Sequence, residues 1–201
     1  MKISKIARLC KQAGRIWLSD HYKNTAAAPE QWLGDGTGLY PLFNMPLLDE
    51  ETVIPALSFT DKEAKKMLVE HTGFPSTVLD CSDWHESDIA LGDPVFCWEE
   101  KQAGEILEAY NAPGIGAVMI PRKYIQPLRA DSDFPELYLR GGRNGYIIVK
   151  QGLLLSAIIL AFRPDPERTV RQIEDFAALV KQTYPESVHR VDPMTGELFD
   201  N

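Results

Sequence analysis

The chain has 201 residues, 44% of them hydrophobic and 25% charged, with a formal net charge of −8. No apolar run reaches the roughly 18 residues of a membrane span, and three cysteines at unrelated spacings (Cys10, Cys81, Cys97) do not make a disulfide framework. The composition is that of a soluble globular protein, and the acidic balance argues against a surface coated in basic patches.

In chain order, the first predicted element is a helix over Ser4–Ala13. Ile3, Ile6, Cys10 and Ala13 share one face, while Lys5, Arg8, Gln12 and Arg15 lie opposite, and Gly14 supplies the stop. Arg15–Tyr22 reads as a strand, and Gln31–Leu33 and Gly38–Phe43 as two more around the turn Gly34-Asp35-Gly36. Ala56–Phe59 reads as a strand feeding a helix over Asp61–His71, capped by Thr60 or Asp61, with Ala64, Met67, Leu68 and His71 facing inward. Ser76–Cys81 is expected to return as a strand, and Val95–Trp98 as another. Ile106, Leu107 and Tyr110 suggest a helix over Glu99–Asn111. Ala117–Phe162 then reads as strand, short basic helix opening at Pro121, and three strands, Glu136–Arg140, Gly145–Lys150 and Leu154–Phe162. Asp165-Pro166-Glu167 is a helix start, followed by the stripe Val170, Ile173, Ala177, Val180 and Tyr184.

The expected fold class is therefore α+β, with largely antiparallel sheet, short helices and a C-terminal helix. Residues 1–185 read as one domain and 186–201 as a polar tail. Segments 2–48 and 117–162 share the order helix, strand, strand, strand, a topological pseudo-repeat with slight residue-level similarity. Lys2, Lys5, Arg8 and Lys11 stand where a signal peptide would carry its apolar segment, so a cytoplasmic location is expected.

Candidate chemistry is sparse. Cys81 and His85, with Cys97 further on, are weak metal candidates, because a tetrahedral site needs four ligands and only one close pair is recognisable. No cysteine is set beside a base or at a helix N-terminus, so a hydrolase is not expected. Gly34-Asp35-Gly36-Thr37-Gly38 lacks the lysine and helix of a phosphate loop and reads as a hairpin turn. No cofactor is expected, and the reading leans away from an enzyme.

Charge is unevenly spread. Residues 1–19 hold five basic side chains and no acid, whereas 80–108 hold nine acids and one lysine. Lys5, Arg8, Lys11 and Arg15, joined by Arg122 and Lys123, are candidate nucleic-acid contacts, since such side chains neutralise phosphates without regard to sequence. Lys62, Lys65 and Lys66 add to them, diluted by Glu63 and Glu70; solvated helix faces are the commoner fate of such residues. The acidic segment 80–108 is the alternative surface, suited to a basic protein partner.

The stretch Ala117–Phe162, with Ile120-Pro121-Arg122-Lys123-Tyr124-Ile125 leading into three strands that end in Ser156-Ala157-Ile158-Ile159-Leu160, resembles the β-α-β-β-β unit of the sliding-clamp family. Pro127 limits its helix to little more than one turn. The resemblance implies short basic helices lining a ring's interior around duplex DNA, antiparallel strands outside, and a homo-oligomer, since a chain of this length needs several copies to close a ring. The general character also resembles that of small proteins encoded by bacterial phages and prophages. The expected function is a non-enzymatic clamp-like or scaffold protein with weak, salt-dependent DNA contact.

Overall fold

Ile6, Ala7, Leu9 and Cys10 are the buried side of the first helix, α1 (Ile3–Ala13), which ends where Gly14 turns left-handed at φ 67° and returns its N–H to the last carbonyls. The computed structural model describes residues 2–23, 28–100, 105–129, 135–162, 166–183, 190–191 and 198–199. The chain divides into two units, Met1–Phe162 and Arg163–Asn201. No described helix is long and apolar enough to cross a membrane.

In the first unit α1 is followed by β1 (Arg15–His21), β2 (Glu30–Gly34) and β3 (Gly38–Pro41), then α2 (Val53–Ala56), α3 (Asp61–Ala64) and β4 (Leu68–Gly73). Next come β5 (Ile89–Leu91), β6 (Phe96–Glu100), β7 (Glu105–Ala112), β8 (Gly116–Pro121), α4 (Arg122–Ile125), β9 (Glu136–Arg140), β10 (Tyr146–Gln151) and β11 (Leu154–Ile159). The protein is thus a mixed α and β chain built on one large sheet with a few short helices.

Eight strands form that sheet in the order β4-β1-β2-β3-β11-β10-β9-β5. Every pairing in it is antiparallel except β1 with β4. The two helix-plus-three-strand segments meet at its centre, where Leu39 pairs with Ile158 and Gly38 with Ile159. From that seam each segment runs outward third strand, second strand, first strand. β6, β7 and β8 make a separate antiparallel sheet.

Most strands of the large sheet are buried on both faces, so they read as near-continuous apolar runs. Ile16, Leu33, Tyr40, Leu139, Ile147, Val149 and Ile159 point to the inner face, where α1, α4 and the β7–β8 hairpin cover them. Trp32, Leu39, Tyr146, Ile148 and Ile158 point to the outer face, where Phe74 and Leu79 cover them. Those two residues belong to the connection 74–88, which joins the two edge strands β4 and β5 across the outer face.

Close backbone approach explains two glycines at the β2–β3 turn. A Cβ on Gly34 would stand 1.7 Å from the Gly38 carbonyl oxygen, and one on Gly38 would stand 2.7 Å from the Tyr124 ring. The turn holds Asp35, which accepts from the Thr37 and Gly38 N–H groups and from the Tyr124 hydroxyl at 2.9 Å.

Four expected elements are different in kind. Ala56–Phe59 is not a strand; Ala56 is the last residue of the short helix α2 and Leu57 and Ser58 turn out of it. The expected helix over Asp61–His71 starts as read, with the Thr60–Glu63 capping box formed, but stops after one turn. Leu68–Gly73 instead pairs with six residues of β1, and Leu68, expected inside, is 57% exposed. Of the expected helix over Glu99–Asn111, Glu99 and Glu100 end β6, 101–104 lie outside the described residues, and the rest is β7, whose pairing to β6 and β8 satisfies its backbone on both edges. Ser76–Cys81 is an irregular stretch of the crossing connection rather than a strand.

The second unit holds α5 (Pro166–Thr183) and the two-residue strands β12 (Arg190–Val191) and β13 (Leu198–Phe199), which pair antiparallel. Pro166 and Glu167 open α5 as read from the sequence. Val170 of the expected stripe is 51% exposed, and Tyr184 lies outside the described residues. Of the expected tail 186–201, only β12 and β13 are described.

Candidate nucleic-acid interface

The basic helices α1 and α4 lie on the inner face of the large sheet, and α3 adjoins the C-terminal end of α1. At the N-terminal end of α1, the Lys2 N–H bonds the Pro127 carbonyl at 3.2 Å and Lys5 Nζ bonds the Gln126 carbonyl at 2.9 Å, which joins α1 to α4. At its other end the Leu68 N–H bonds the Gly14 carbonyl at 2.9 Å and Lys11 bridges to Glu63, which joins α1 to α3. The row α3, α1, α4 therefore brings the basic helical residues together, but not Arg15, which stacks over Trp17 on the outer face. Gln12, Glu105, Ile106, Arg122, Lys123 and Gln126 line a pocket of about 470 Å³ along it.

The candidate contacts differ in what they already hold. Arg8 is exposed on α1. Lys11 is 56% exposed and paired with Glu63, whose carboxyl is pulled down to about 2 by the Lys11 ammonium and the Thr60 N–H and hydroxyl. Arg15 pairs with Glu70 and stacks 5.5 Å from the Trp17 ring centre, at the β1–β4 edge. Arg122 Nε donates to Glu108 at 2.7 Å, Arg129 donates to both oxygens of the same carboxylate, and Lys123 pairs with Glu105.

Glu108 is the centre of that last group and was not singled out in the sequence. Its side chain is 2% exposed on β7. Burial raises its pKa, but hydrogen bonds from Tyr110, Arg122 and Arg129 outweigh burial and leave it below the ordinary value. A glutamate facing two arginines from a helix and a following turn is a long-range arrangement, and only its position between Leu107 and Ala109 in an apolar run signals it.

The acids of 80–108 are dispersed in the same way. Asp88 is 5% exposed and accepts from Arg140 and Lys150, while Asp83 accepts the Leu155 N–H at 2.8 Å. Asp80 accepts the Ser82 N–H at 2.8 Å and Glu105 pairs with Lys123. Glu86 and Asp93 are exposed.

The weak metal candidates do not converge, and no group of three or more metal-ligating side chains exists among the described residues. Cys81 Sγ lies 3.4 Å from both ring nitrogens of His21, which stands 3.8 Å from Glu30. Burial, Glu30 and Asp80 push the Cys81 thiol up to about 11, which keeps it protonated at neutral pH. His85 instead bonds Ser87 Oγ at 2.8 Å, and Cys97 is exposed on β6 near Arg122.

What this row of helices can do chemically is present cations to an extended anion, with paired acids setting how many are available. In comparisons with known proteins, no family model, no curated protein and no solved structure matches the chain.

Proposed function

We propose that this chain is a non-enzymatic, clamp-like scaffold whose helical face lies against duplex nucleic acid without reading its sequence. One observation carries the proposal: two helix-plus-three-strand segments meet third strand to third strand, and their basic helices α1 and α4 lie together on one sheet face. That arrangement supports the sliding-clamp resemblance, in which paired units turn their helices inward. The Lys11–Glu63 pair does not prevent such contact, because an exposed pair is worth about 1 kcal/mol or less and exchanges readily for phosphates.

Fluorescence anisotropy of labelled duplexes of unrelated sequence tests the proposal. The expected result is equal affinity for each duplex, lost steeply between about 50 and 200 mM salt. Absence of binding at the lowest salt, or binding indifferent to salt, removes it. Light scattering on the protein–duplex mixture tests the clamp component, for which several copies per complex are expected and a strict monomer is disqualifying.

A further inference from the structure

We infer that the corner where α3 meets the C-terminal half of α1 is the main phosphate-contact surface, formed by Lys62, Lys65 and Lys66 beside Arg8 and Lys11. The inference rests on the proposed nucleic-acid reading and replaces α4 as its centre.

The helical geometry of α3 runs on through Lys66, since the Lys65 N–H bonds the Asp61 carbonyl at 3.2 Å and the Lys66 N–H bonds the Glu63 carbonyl at 2.9 Å. Lys62, Lys65 and Lys66 are therefore neighbours at spacings of three and four, an arrangement of like charges that destabilises an isolated helix. All three are exposed, and none makes a side-chain hydrogen bond or ion pair among the described residues. Glu63, the acid within the run, is turned toward Thr60 and Lys11. The three like charges repel one another at this spacing, and a bound anion would relieve that repulsion.

The position next to α1 is close. The Lys66 carbonyl oxygen lies 3.9 Å from where a Cβ on Gly14 would stand, and Lys11 reaches across to Glu63. The corner thus holds five cations against Asp61 and Glu63. At α4 and the turn after it, by contrast, Arg122 and Arg129 share Glu108 and Lys123 is matched by Glu105, so three cations face two acids. The net charge of −8 does not cancel the corner. At physiological salt, charges more than about 8 Å away are largely screened.

Duplex backbone fits this surface better than a lipid headgroup layer. The exposed side of α1 carries Ser4, Arg8, Lys11 and Gln12, with no large apolar side chain to enter a bilayer. Surface cations carried at fixed backbone positions, on side chains long enough to adjust, suit a regularly spaced line of phosphates.

The test compares the wild-type chain with K62Q/K65Q/K66Q and with R143Q, at an exposed arginine of the turn between β9 and β10, using anisotropy of a labelled duplex across a salt series and flotation with anionic phospholipid vesicles. For the triple variant the slope of log affinity on log salt is expected to fall by about 2.7, so the affinity ratio between about 50 and 200 mM salt falls about 40-fold. R143Q is expected to leave the slope unchanged, because Arg143 lies outside the corner. Thermal melts should match in all three, because the substituted side chains are partly or fully exposed. If the wild type binds and the triple variant keeps its slope, the corner is not the contact and this inference falls while the nucleic-acid reading stands. If the wild type binds no duplex at the lowest salt, both fall. Binding to vesicles but not to duplex also overturns both.

Discussion

Arg140 and Asp88 form a two-pronged ion pair inside the protein, with Nε 2.6 Å from Oδ1 and Nη2 2.8 Å from Oδ2. Arg140 sits at the end of β9 and Asp88 just before β5, and their side chains are 2% and 5% exposed. The remaining Arg140 nitrogen, Nη1, donates to the carbonyls of Asp80 and Ser82, while Lys150 adds a second cation to Asp88 at 3.0 Å. One guanidinium thus fastens the connection 74–88 to the outer face of the sheet. Removing one partner of a buried pair leaves an uncompensated charge, the costly case.

Arg140→Met is accordingly expected to destabilise the protein by about 3–5 kcal/mol, read by urea denaturation. Arg140→Lys should recover only part of this, since an ammonium supplies the charge without the planar fork. A loss below about 1 kcal/mol for Arg140→Met would show that the connection is held by its apolar contacts alone.

Acid should weaken the fold through the same pair. Burial raises the Asp88 pKa, but hydrogen bonds from Arg140 and Lys150 outweigh it and bring the carboxyl to about 2, against an ordinary 3.8. A carboxylate whose pKa is lower in the folded chain binds fewer protons there than in the unfolded one. Its contribution, about 2 kcal/mol, is therefore present above about pH 4 and lost as pH falls toward 2. Urea midpoints measured across that range should decline in the wild type and decline less in Asp88→Asn, which starts from a lower stability.

Glu108→Gln separates the structural role of its cluster from the nucleic-acid role. Arg122 and Arg129 are 34% and 41% exposed, so solvent moderates the loss, which is expected to be about 1–3 kcal/mol. The two freed arginines should raise duplex affinity at low salt and steepen its salt slope by up to about 1.8. Unchanged affinity in a folded variant would place α4 away from the duplex.

The three thiols should react in a fixed order with iodoacetamide. Cys97 is exposed and is expected to be alkylated first. Cys81, held at about 11, should react slowly at neutral pH and faster as the pH approaches that value. Cys10 donates to the Gly34 carbonyl within the core and is pushed up to about 12 by burial and by Asp35, so it should resist until the protein unfolds. Mass spectrometry of timed samples reads the order. Rapid neutral-pH labelling of Cys81 would instead indicate that His21 holds a thiolate.

Much of the strand and helix inventory was open to reading from one chain. The amphipathic stripe and Gly14 placed α1, turn residues separated β2 from β3 and β9 from β10, and Pro166 with Glu167 opened α5. Local signals failed at Leu68–Gly73 and Glu105–Ala112, where helical spacing was overruled by pairing with distant strands. The capping box at Thr60 was present and still produced only one turn.

The sequence by itself determined an α and β protein without a long apolar helix, with basic residues gathered near its start and in two later stretches. Only the tertiary structure decided that α3, α1 and α4 form one row, and that the two three-strand segments join at β3 and β11. It also decided which charges are already matched: Asp88 by Arg140, Glu108 by Arg122 and Arg129, and Glu105 by Lys123. The reason is physical. Helix stripes and turns depend on neighbours a few residues away, whereas an ion pair or a strand seam depends on which distant segments share a core.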